Sequence, residues 1–235
     1  MYTVLAIICH PDDMEFYCAG TLLKCKARGD RIVVCNLSSG NLGHMTIKPE
    51  ELVLIRDSEA KDSCDIGGFE HIYGGFDDLD IYENNRESRN KVVRIIRQVN
   101  PDFIITHYPN DYMSDHIATS NLAREAAYAA SNPLYAPEIK GKTRPMPIYY
   151  MQPEGGIGFS PTDYVDVTEY MELKYKMIKC HKSQYEWLEE HDNIDMTEEI
   201  RVVSKYNGYQ CGVEFAESFA LCMASPKLIT KRLLP

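Results

Sequence analysis

Three side chains that can act on a metal or a proton stand at the end of one apolar segment. The stretch IICHPDDMEF, residues 7–16, passes from aliphatic residues into His10, Asp12 and Asp13. Adjacent carboxylates at the end of a strand repel each other unless a cation lies between them. His10 and Asp13 are close enough along the chain for both side chains to reach one ion. The stretch therefore predicts a metal site with a second acid beside it.

A second group of metal-binding residue types follows further along the chain. The segment HYPNDYMSDH, residues 107–116, contains two histidines and two aspartates. Two imidazoles and a carboxylate around a divalent ion, with one position left for water, form a catalytic zinc site, and Fe(2+) suits the same donors. Such an ion lowers the pKa of bound water to about 7, and a carboxylate that is not a ligand can accept the proton. We expect Asp12 to be that base.

These residues must be positioned by the elements that precede them. Strand-like segments alternate with helix-like ones: the strands are 2–9, 30–40, 71–75 and 101–107, and the helices are 15–29, 48–68 and 87–100. The alternation predicts an α/β fold with a Rossmann-like, mostly parallel sheet and helices on both faces. Ligands of such folds bind at the carboxyl ends of the strands. Four polar stretches should meet there, at 10–13, 38–44, 71–80 and 107–116.

The chain beyond residue 131 has weaker patterns. Residues 131–147 are rich in proline and predict a surface loop, and 148–152 predict a strand. Residues 166–190 predict one long helix, capped by Asp166 or Thr168. Segment 212–222 fits a helix or a strand. No linker divides the chain, so we expect a single domain over residues 1–235.

Composition limits the partners of the protein. The formal net charge of −10 disfavours nucleic acid and anionic membranes. No apolar stretch reaches the ~20 residues that span a bilayer, and the N-terminus lacks the features of a signal peptide. We therefore expect a cytoplasmic protein that acts on a small molecule. The eight cysteines form no C-x-x-C pair and are interpreted as reduced core residues.

Four motifs in order resemble one protein family. HPDD after the first strand and DH at 115–116 resemble the LmbE-like (PIG-L) family of zinc-dependent N-acetylglucosamine deacetylases. EELVLIRDSEA at 50–60, HKSQ at 181–184 and GVEFAESF at 212–219 extend the resemblance over most of the chain. The resemblance implies removal of an N-acetyl group from an N-acetylglucosamine-containing small molecule, by attack of a zinc-bound water on the amide carbonyl. It also implies a homo-oligomer, a trimer or a hexamer.

The resemblance assigns roles to individual residues. His10, Asp13 and His116 match the metal ligands of the family, and Asp12 matches its general base. Arg56 matches an arginine that contacts substrate. Asp115 matches an acid that contacts the metal ligands of the family without binding the metal itself.

One position departs from the family pattern. The second motif of well-described members begins with a histidine that stabilises the oxyanion and protonates the amine, and Met113 stands there in this chain. Loss of one oxyanion donor can cost ~10²–10³ in rate. Either His44 or Tyr112 takes over this role, or the enzyme is slow, or the protein binds carbohydrate without hydrolysing it. Since His44 lies in a glycine-containing loop, we expect it to face the substrate.

Other residues have simpler interpretations. Arg56 could pair with Glu59 on its own helix. His107 and His181 are interpreted as structural, and the acidic stretch 76–83 as a solvated loop. A nucleotide-binding dehydrogenase is excluded, because the first strand leads into HPDD and not into a G-x-G-x-x-G turn.

Overall fold

We describe the protein from a computed structural model, which covers residues 1–141, 144–224 and 232–235. The strands are β1 (Thr3–Ile8), β2 (Arg31–Ser38), β3 (Glu70–Phe76), β4 (Phe103–Thr106), β5 (Ile148–Met151), β6 (Asp163–Asp166) and β7 (Ala216–Leu221). The helices are α1 (Asp13–Tyr17), α2 (Ala19–Ala27), α3 (Pro49–Gly67), α4 (Arg86–Val99), α5 (Ser114–Ser131), α6 (Met171–Ile178), α7 (Lys182–Asp192) and α8 (Met196–Cys211). Short 3₁₀ turns span Glu154–Gly156 and Thr168–Tyr170.

All of the strands listed join one sheet in the order β3-β2-β1-β4-β5-β7-β6. The pairs from β3 to β5 are parallel, whereas β7 runs antiparallel to both of its neighbours. The predicted α/β fold with a mostly parallel sheet is confirmed. Segment 212–222, which fitted a helix or a strand, contains β7. The strand order changes direction between β1 and β4, which is where ligands bind in open α/β sheets.

The central strand β1 is buried on both faces. Val4, Ala6 and Ile8 pack into the core on one side of the sheet, and Leu5 and Ile7 into the core on the other. A strand covered by helices on both sides needs apolar residues at every position. This requirement explains the unbroken aliphatic run that precedes His10, and it holds the end of β1 in a fixed place.

The helix predicted over 15–29 is in fact two helices. The chain bends at Cys18, which has φ −147° and ψ 0°, so the first amides of α2 lack helical partners. Glu217 of β7 accepts the N–H of Gly20 at 2.9 Å and that of Thr21 at 2.7 Å. A buried carboxylate at a helix N-terminus satisfies these amides and is stabilised by the helix dipole.

The helix predicted over 166–190 is also broken. A 3₁₀ turn and α6 end before Lys179, and α7 starts at Lys182. At the start of α7, Ser183 donates its N–H and its hydroxyl to Glu59 of α3, at 2.8 and 2.6 Å. The break turns His181 inward, where its Nε2 lies 3.0 Å from Oε1 of Glu15. The structural role predicted for His181 agrees with this buried contact.

Outside the site, the structure bears on three predictions: the loop 131–147, the cysteines and the absence of a membrane-spanning segment. The prediction for the cysteines is only partly confirmed. The described part of the predicted loop 131–147 contains the end of α5 but no strand, and residues 142–143 lie outside the described range. The cysteines are free, but only five are buried, since Cys180 and Cys222 are half-buried and Cys211 is exposed. Within the described ranges, no helix is both long and apolar enough to cross a bilayer.

Lys174 is the buried cation that balances Glu217. Its Nζ lies 2.6 Å from Oε1 of Glu217, and the Lys174 side chain is fully buried. Replacement of Lys174 by methionine would leave the carboxylate buried without a cation, so we expect the free energy of unfolding to fall by about 3–5 kcal/mol. Urea denaturation followed by circular dichroism measures the change. Arg201→Met is the matched control, because it removes an exposed ion pair with Glu198 and should leave the midpoint nearly unchanged. Equal midpoints for the two variants would contradict the prediction.

Candidate active site

Two adjacent strands bring the predicted ligands together. His10 follows β1 and His107 follows β4, and these strands are hydrogen-bonded neighbours in the sheet. Asp13 begins α1, and His116 lies in the first turn of α5. Both helices start at the carboxyl edge of the sheet, so residues distant in sequence meet there.

Asp13 is the centre of the group. Its Oδ1 lies 3.3 Å from Nε2 of His116, and its Oδ2 lies 3.4 Å from Nδ1 of His10. Within the described ranges, Asp13 belongs to two sets of possible ligand atoms that lie within 4.8 Å of one another, with Cys9 and His10 or with His107 and His116. The ring centroids of His10 and His116 are 5.3 Å apart, and each ring faces a different oxygen of the Asp13 carboxylate.

The arrangement of donors fits a divalent metal. Nε2 of His116 is buried and has no hydrogen-bond partner among the described residues. The other nitrogen of this ring, Nδ1, lies 3.3 Å from Asp111, and Nε2 of His10 lies 3.5 Å from Asp115. Carboxylates behind two imidazoles orient the opposite nitrogens toward a metal. Asp13 shares one set of nearby ligand atoms with His10 and another with His116, so the assignment of His10, Asp13 and His116 as joint ligands of one metal stays a prediction.

The electrostatics of the group favour a cation. Burial alone would lower the pKa of His116. The carboxylates of Asp13 and Asp111 outweigh this effect and raise the pKa to about 10. Burial raises the pKa of Asp13, yet the histidines around it bring that pKa well below its usual range. A position that retains a proton between carboxylates at neutral pH is one where a metal cation is also stabilised.

His107 lies inside this group, although its sequence context indicated a structural residue. Its ring stacks on that of His116, with centroids 4.1 Å apart. Nε2 of His107 accepts the N–H of Cys9 at 2.9 Å, so that nitrogen is not free to bind a metal. Burial lowers the pKa of His107 to about 4, which keeps the ring neutral. His107 therefore joins the ends of β1 and β4 under the site.

Asp12 adopts a conformation that few residues other than glycine tolerate. Its φ is 112°, a region that costs about 1–3 kcal/mol for a non-glycine residue. In this conformation Oδ2 of Asp12 lies 2.9 Å from Nη2 of Arg56. Burial raises the pKa of Asp12 to about 6, although Arg56 opposes the shift. A carboxylate with this pKa is ionised at neutral pH and is a competent proton acceptor.

Arg56 also binds the backbone around Asp12. Its guanidinium donates to the carbonyls of Pro11 and Gly40, and a Cβ at Gly40 would lie 2.3 Å from Nη1. The alternative of an ion pair with Glu59 is wrong, because Arg56 pairs with Asp12 and Glu59 accepts from Ser183. The substrate contact expected of Arg56 stays a prediction, since its described partners all belong to the protein.

A cavity of about 500 Å³ opens over these residues. His10, Asp12, Asp13 and His116 lie at its floor. Side chains from seven separate parts of the fold form its walls, among them Phe16, Tyr17, Leu42, Asp78, Tyr112, Met113, Glu154, Leu188, Ile194, Met196 and Glu199. The cavity has room for a sugar unit above the floor.

His44 lies beside this cavity and not among the residues that line it. Its ring packs on Trp187 with centroids 5.1 Å apart, and Nδ1 faces the backbone N–H groups of Thr46 and Ile47 at 3.1 and 3.2 Å. These contacts hold His44 within its own loop. The substrate contact predicted for His44 has no support from this geometry and stays a prediction.

Tyr112, unlike His44, lines the cavity. Both Tyr112 and Met113 line the cavity, and the ring of Tyr112 meets that of His116 edge-on at 6.0 Å. Burial and Glu154 raise the pKa of Tyr112 above its usual range. The hydroxyl therefore keeps its proton, and the partner of that proton is the carboxylate of Glu154. Of the two candidates to replace the missing histidine, Tyr112 is the one inside the cavity.

Several residues of the site were missed in the sequence. The stretch 76–83 was interpreted as a solvated loop, but Asp78 accepts from Ser38 and from the N–H of Leu42 and lies 3.7 Å from Nε2 of His10. The position of this loop after a parallel strand was the signal that could have found Asp78. Glu154 and Glu199 come from irregular or C-terminal segments, where no pattern identified them.

Comparison with known proteins adds a family and several relatives. The family model described as "GlcNAc-PI de-N-acetylase" (PIG-L) matches residues 5–127. The diacetylchitobiose deacetylase of Thermococcus kodakarensis is 28% identical over 227 residues, which is 91% of this chain and 80% of the relative.

Solved structures share the fold. The N,N'-diacetylchitobiose deacetylase of Pyrococcus horikoshii aligns with a TM-score of 0.82 at 25% identity, over 94% of this chain and 84% of that one. A 4-carboxy-2-hydroxymuconate hydratase from Pseudomonas putida aligns with a TM-score of 0.80 at 22% identity, over 99% of this chain and 100% of that one. The second likeness shows the fold alone, so function has to be argued from the site.

Proposed function

We propose, since this chain belongs to the PIG-L family, that it is a zinc-dependent hydrolase that removes the acetyl group from an N-acetylglucosamine-containing small molecule. The homologues named as deacetylases act on substrates that contain N-acetylglucosamine. The observation that carries the proposal is the placement of two imidazoles on the two oxygens of Asp13, beside the ionised Asp12, at the floor of a sugar-sized cavity.

Each residue of the floor has a role in this proposal. His10, Asp13 and His116 hold the metal, and Asp115 fixes the ring of His10. Zinc supplies a Lewis acid for the amide carbonyl and lowers the pKa of water to about 7. Asp12 accepts the proton of the attacking water, and Arg56 holds the Asp12 carboxylate in place.

Tyr112 supports the oxyanion in the position left by Met113. Its hydroxyl remains protonated at neutral pH, and the ring lies beside His116 in the cavity. The hydroxyl interacts with Glu154, so it has to turn from that carboxylate to reach the oxyanion, where a neutral donor would stabilise the developing charge.

The substitution Met113→His restores the residue that is usual at this position. We expect the variant to keep the wild-type kcat or to raise it by up to about 10-fold, because a second donor would reach the oxyanion. Acetate release under saturating substrate measures the change. Met113→Leu is the control and should leave kcat within about twofold. A large loss of kcat in Met113→His with normal metal content would show that the site depends on the apolar side chain.

Acetate release also tests the proposed function itself. The zinc-loaded protein should liberate acetate and a free amine from diacetylchitobiose, lose that activity after chelation, and regain it when zinc is added. Absence of acetate from a panel of N-acetylated sugars, with about one zinc per chain bound, would refute the hydrolase. The alternative of a non-catalytic carbohydrate-binding protein would then gain support, although the named deacetylases do not favour it.

Other parts of the proposal follow from the sequence alone. We place the protein in the cytoplasm, as a homo-oligomer with no nucleic-acid or membrane partner, and we regard residues 1–235 as one domain. Fe(2+) remains the alternative to zinc, because the same nitrogen and oxygen donors bind both metals.

A further inference from the structure

Two carboxylates from separate elements face the same cavity. Glu154 belongs to the 3₁₀ turn that follows β5, and Glu199 lies in the first turn of α8. Both line the cavity. Both are exposed to solvent, Glu154 interacts with the neutral hydroxyl of Tyr112, and among the described residues neither acid pairs with a lysine, an arginine or a histidine. This wall of the cavity therefore carries negative charge that the protein does not neutralise.

The two carboxylates are close enough to influence each other. Burial raises the pKa of Glu199, and the negative charges of Glu154 and Asp195 raise it further. Glu154 also raises the pKa values of Tyr17 and Tyr112, which are affected by Asp13 as well. The field of Glu154 therefore extends over the side of the cavity next to the metal ligands.

The cavity offers no cation to an anionic ligand. Arg56 is the only lysine or arginine among the described residues that line it. The guanidinium of Arg56 already binds Asp12 and the carbonyls of Pro11 and Gly40. A phosphate or carboxylate on the substrate would thus meet two acids and find no free basic side chain on the cavity wall.

The floor of the cavity fixes how a ligand lies with respect to this wall. Nε2 of His116 is buried, lacks a hydrogen-bond partner among the described residues, and sits with Asp13 at the floor. If the N-acetyl group is held there, as the proposed function requires, the rest of the sugar has to lie in the cavity that Glu154, Glu199 and the apolar side chains of Leu188, Ile194 and Met196 line.

We propose that Glu154 and Glu199 make this site selective for N-acetylated sugars whose linked group is cationic or neutral, and that they exclude sugars linked to phosphate or carboxylate. The preferred substrate class is an oligosaccharide that carries a free ammonium group next to the N-acetylated unit. Such a sugar is a partly deacetylated amino-sugar oligomer. The inference rests on the proposed function for the position of the N-acetyl group.

Matched substrates test the inference. Three disaccharides present N-acetylglucosamine joined to glucosamine, to glucose or to glucuronic acid, so that only the charge of the second unit changes. We expect kcat/KM of the zinc-loaded wild type to fall in that order, by about 3- to 10-fold at each step, as partly exposed charges allow. The double variant Glu154→Gln/Glu199→Gln should reduce the differences to about twofold or less, and 0.5 M salt should weaken them in the wild type.

Glu198→Gln is the control variant. Glu198 is the neighbour of Glu199 on α8, but it is exposed and pairs with Arg201 at 2.7 Å. Its replacement also removes one negative charge, but at a position outside the cavity. The order of kcat/KM among the three disaccharides should therefore stay that of the wild type. Equal differences among the three substrates in wild type and double variant would overturn the inference.

Binding of sugars that cannot be deacetylated separates this inference from the proposed function. Chitobiose carries amino groups at the positions where cellobiose carries hydroxyl groups. Calorimetry measures the affinity of the protein for each sugar without turnover. A preference for chitobiose that the double variant loses supports the charge selectivity even if no substrate releases acetate, in which case only the deacetylase proposal fails. The same preference in wild type and double variant overturns the selectivity, whatever the activity.

Discussion

Replacement of His116 by alanine is expected to remove the bound metal and to lower kcat/KM for deacetylation by at least about 10³-fold. His116 supplies a buried nitrogen with no other partner among the described residues, 3.3 Å from Asp13. Without it, only His10 and Asp13 of the three proposed ligands remain. Elemental analysis of the purified variant beside the wild type, together with acetate release, measures both effects. The wild type should contain about one zinc or iron per chain.

The control for this variant is His191→Ala. His191 is exposed on α7, where it contacts Asp192 and Trp187, so its loss should change neither metal content nor rate. Circular dichroism of His116→Ala should show the helix content of the wild type. A folded His116→Ala protein that retains a full equivalent of metal would show that His116 is not a ligand.

The substitution Asp12→Asn is expected to lower kcat by about 10²–10⁴-fold while the metal content stays at the wild-type level. The amide oxygen of asparagine can still accept from Arg56, and asparagine tolerates positive φ better than most residues, so the local structure should persist. What the variant loses is the carboxylate to which we assign the proton of the attacking water. The change should therefore appear in kcat and much less in KM.

Two measurements separate this loss from damage to the site. Metal content by elemental analysis should equal that of the wild type, and Asp62→Asn on the exposed face of α3 should leave kcat unaffected. If Asp12→Asn retained more than about a tenth of the wild-type kcat with metal bound, another group would have to be the base, and the role given to Asp12 would be wrong.

The sheet and the floor of the site could be predicted because local patterns determine them. The aliphatic run of β1 shows a strand buried on both faces, and the parallel arrangement places His10 and the segment 107–116 at one edge. The same reasoning reached Asp12 and Asp13. It placed the stretch 71–80 at the same edge but did not identify Asp78 as a site residue, because an acidic loop after a strand looks solvated until its side chains are seen to contact Ser38.

The breaks in two predicted helices could not be read from the sequence. The amides exposed at the bend of Cys18 are satisfied by Glu217, 197 positions after Gly20. Those at the start of α7 are satisfied by Glu59, 124 positions before Ser183. Helical periodicity continues across both breaks, and only the folded chain shows the carboxylates that compensate for them. Similarly, Glu154 and Glu199 converge on the cavity from segments without a common pattern.

The contact between Glu217 and α2 has a consequence for the order in which the protein can be completed. The family model ends at residue 127, yet the N-terminal helix α2 within that region depends on a carboxylate that the ribosome adds 197 residues after Gly20. While the chain is being translated, α2 remains without its cap, and Lys174 without its counter-ion, until β7 has emerged and joined the sheet. A protease that cut between α8 and β7 would thus loosen a helix at the opposite end of the sequence, next to α1, which begins at Asp13.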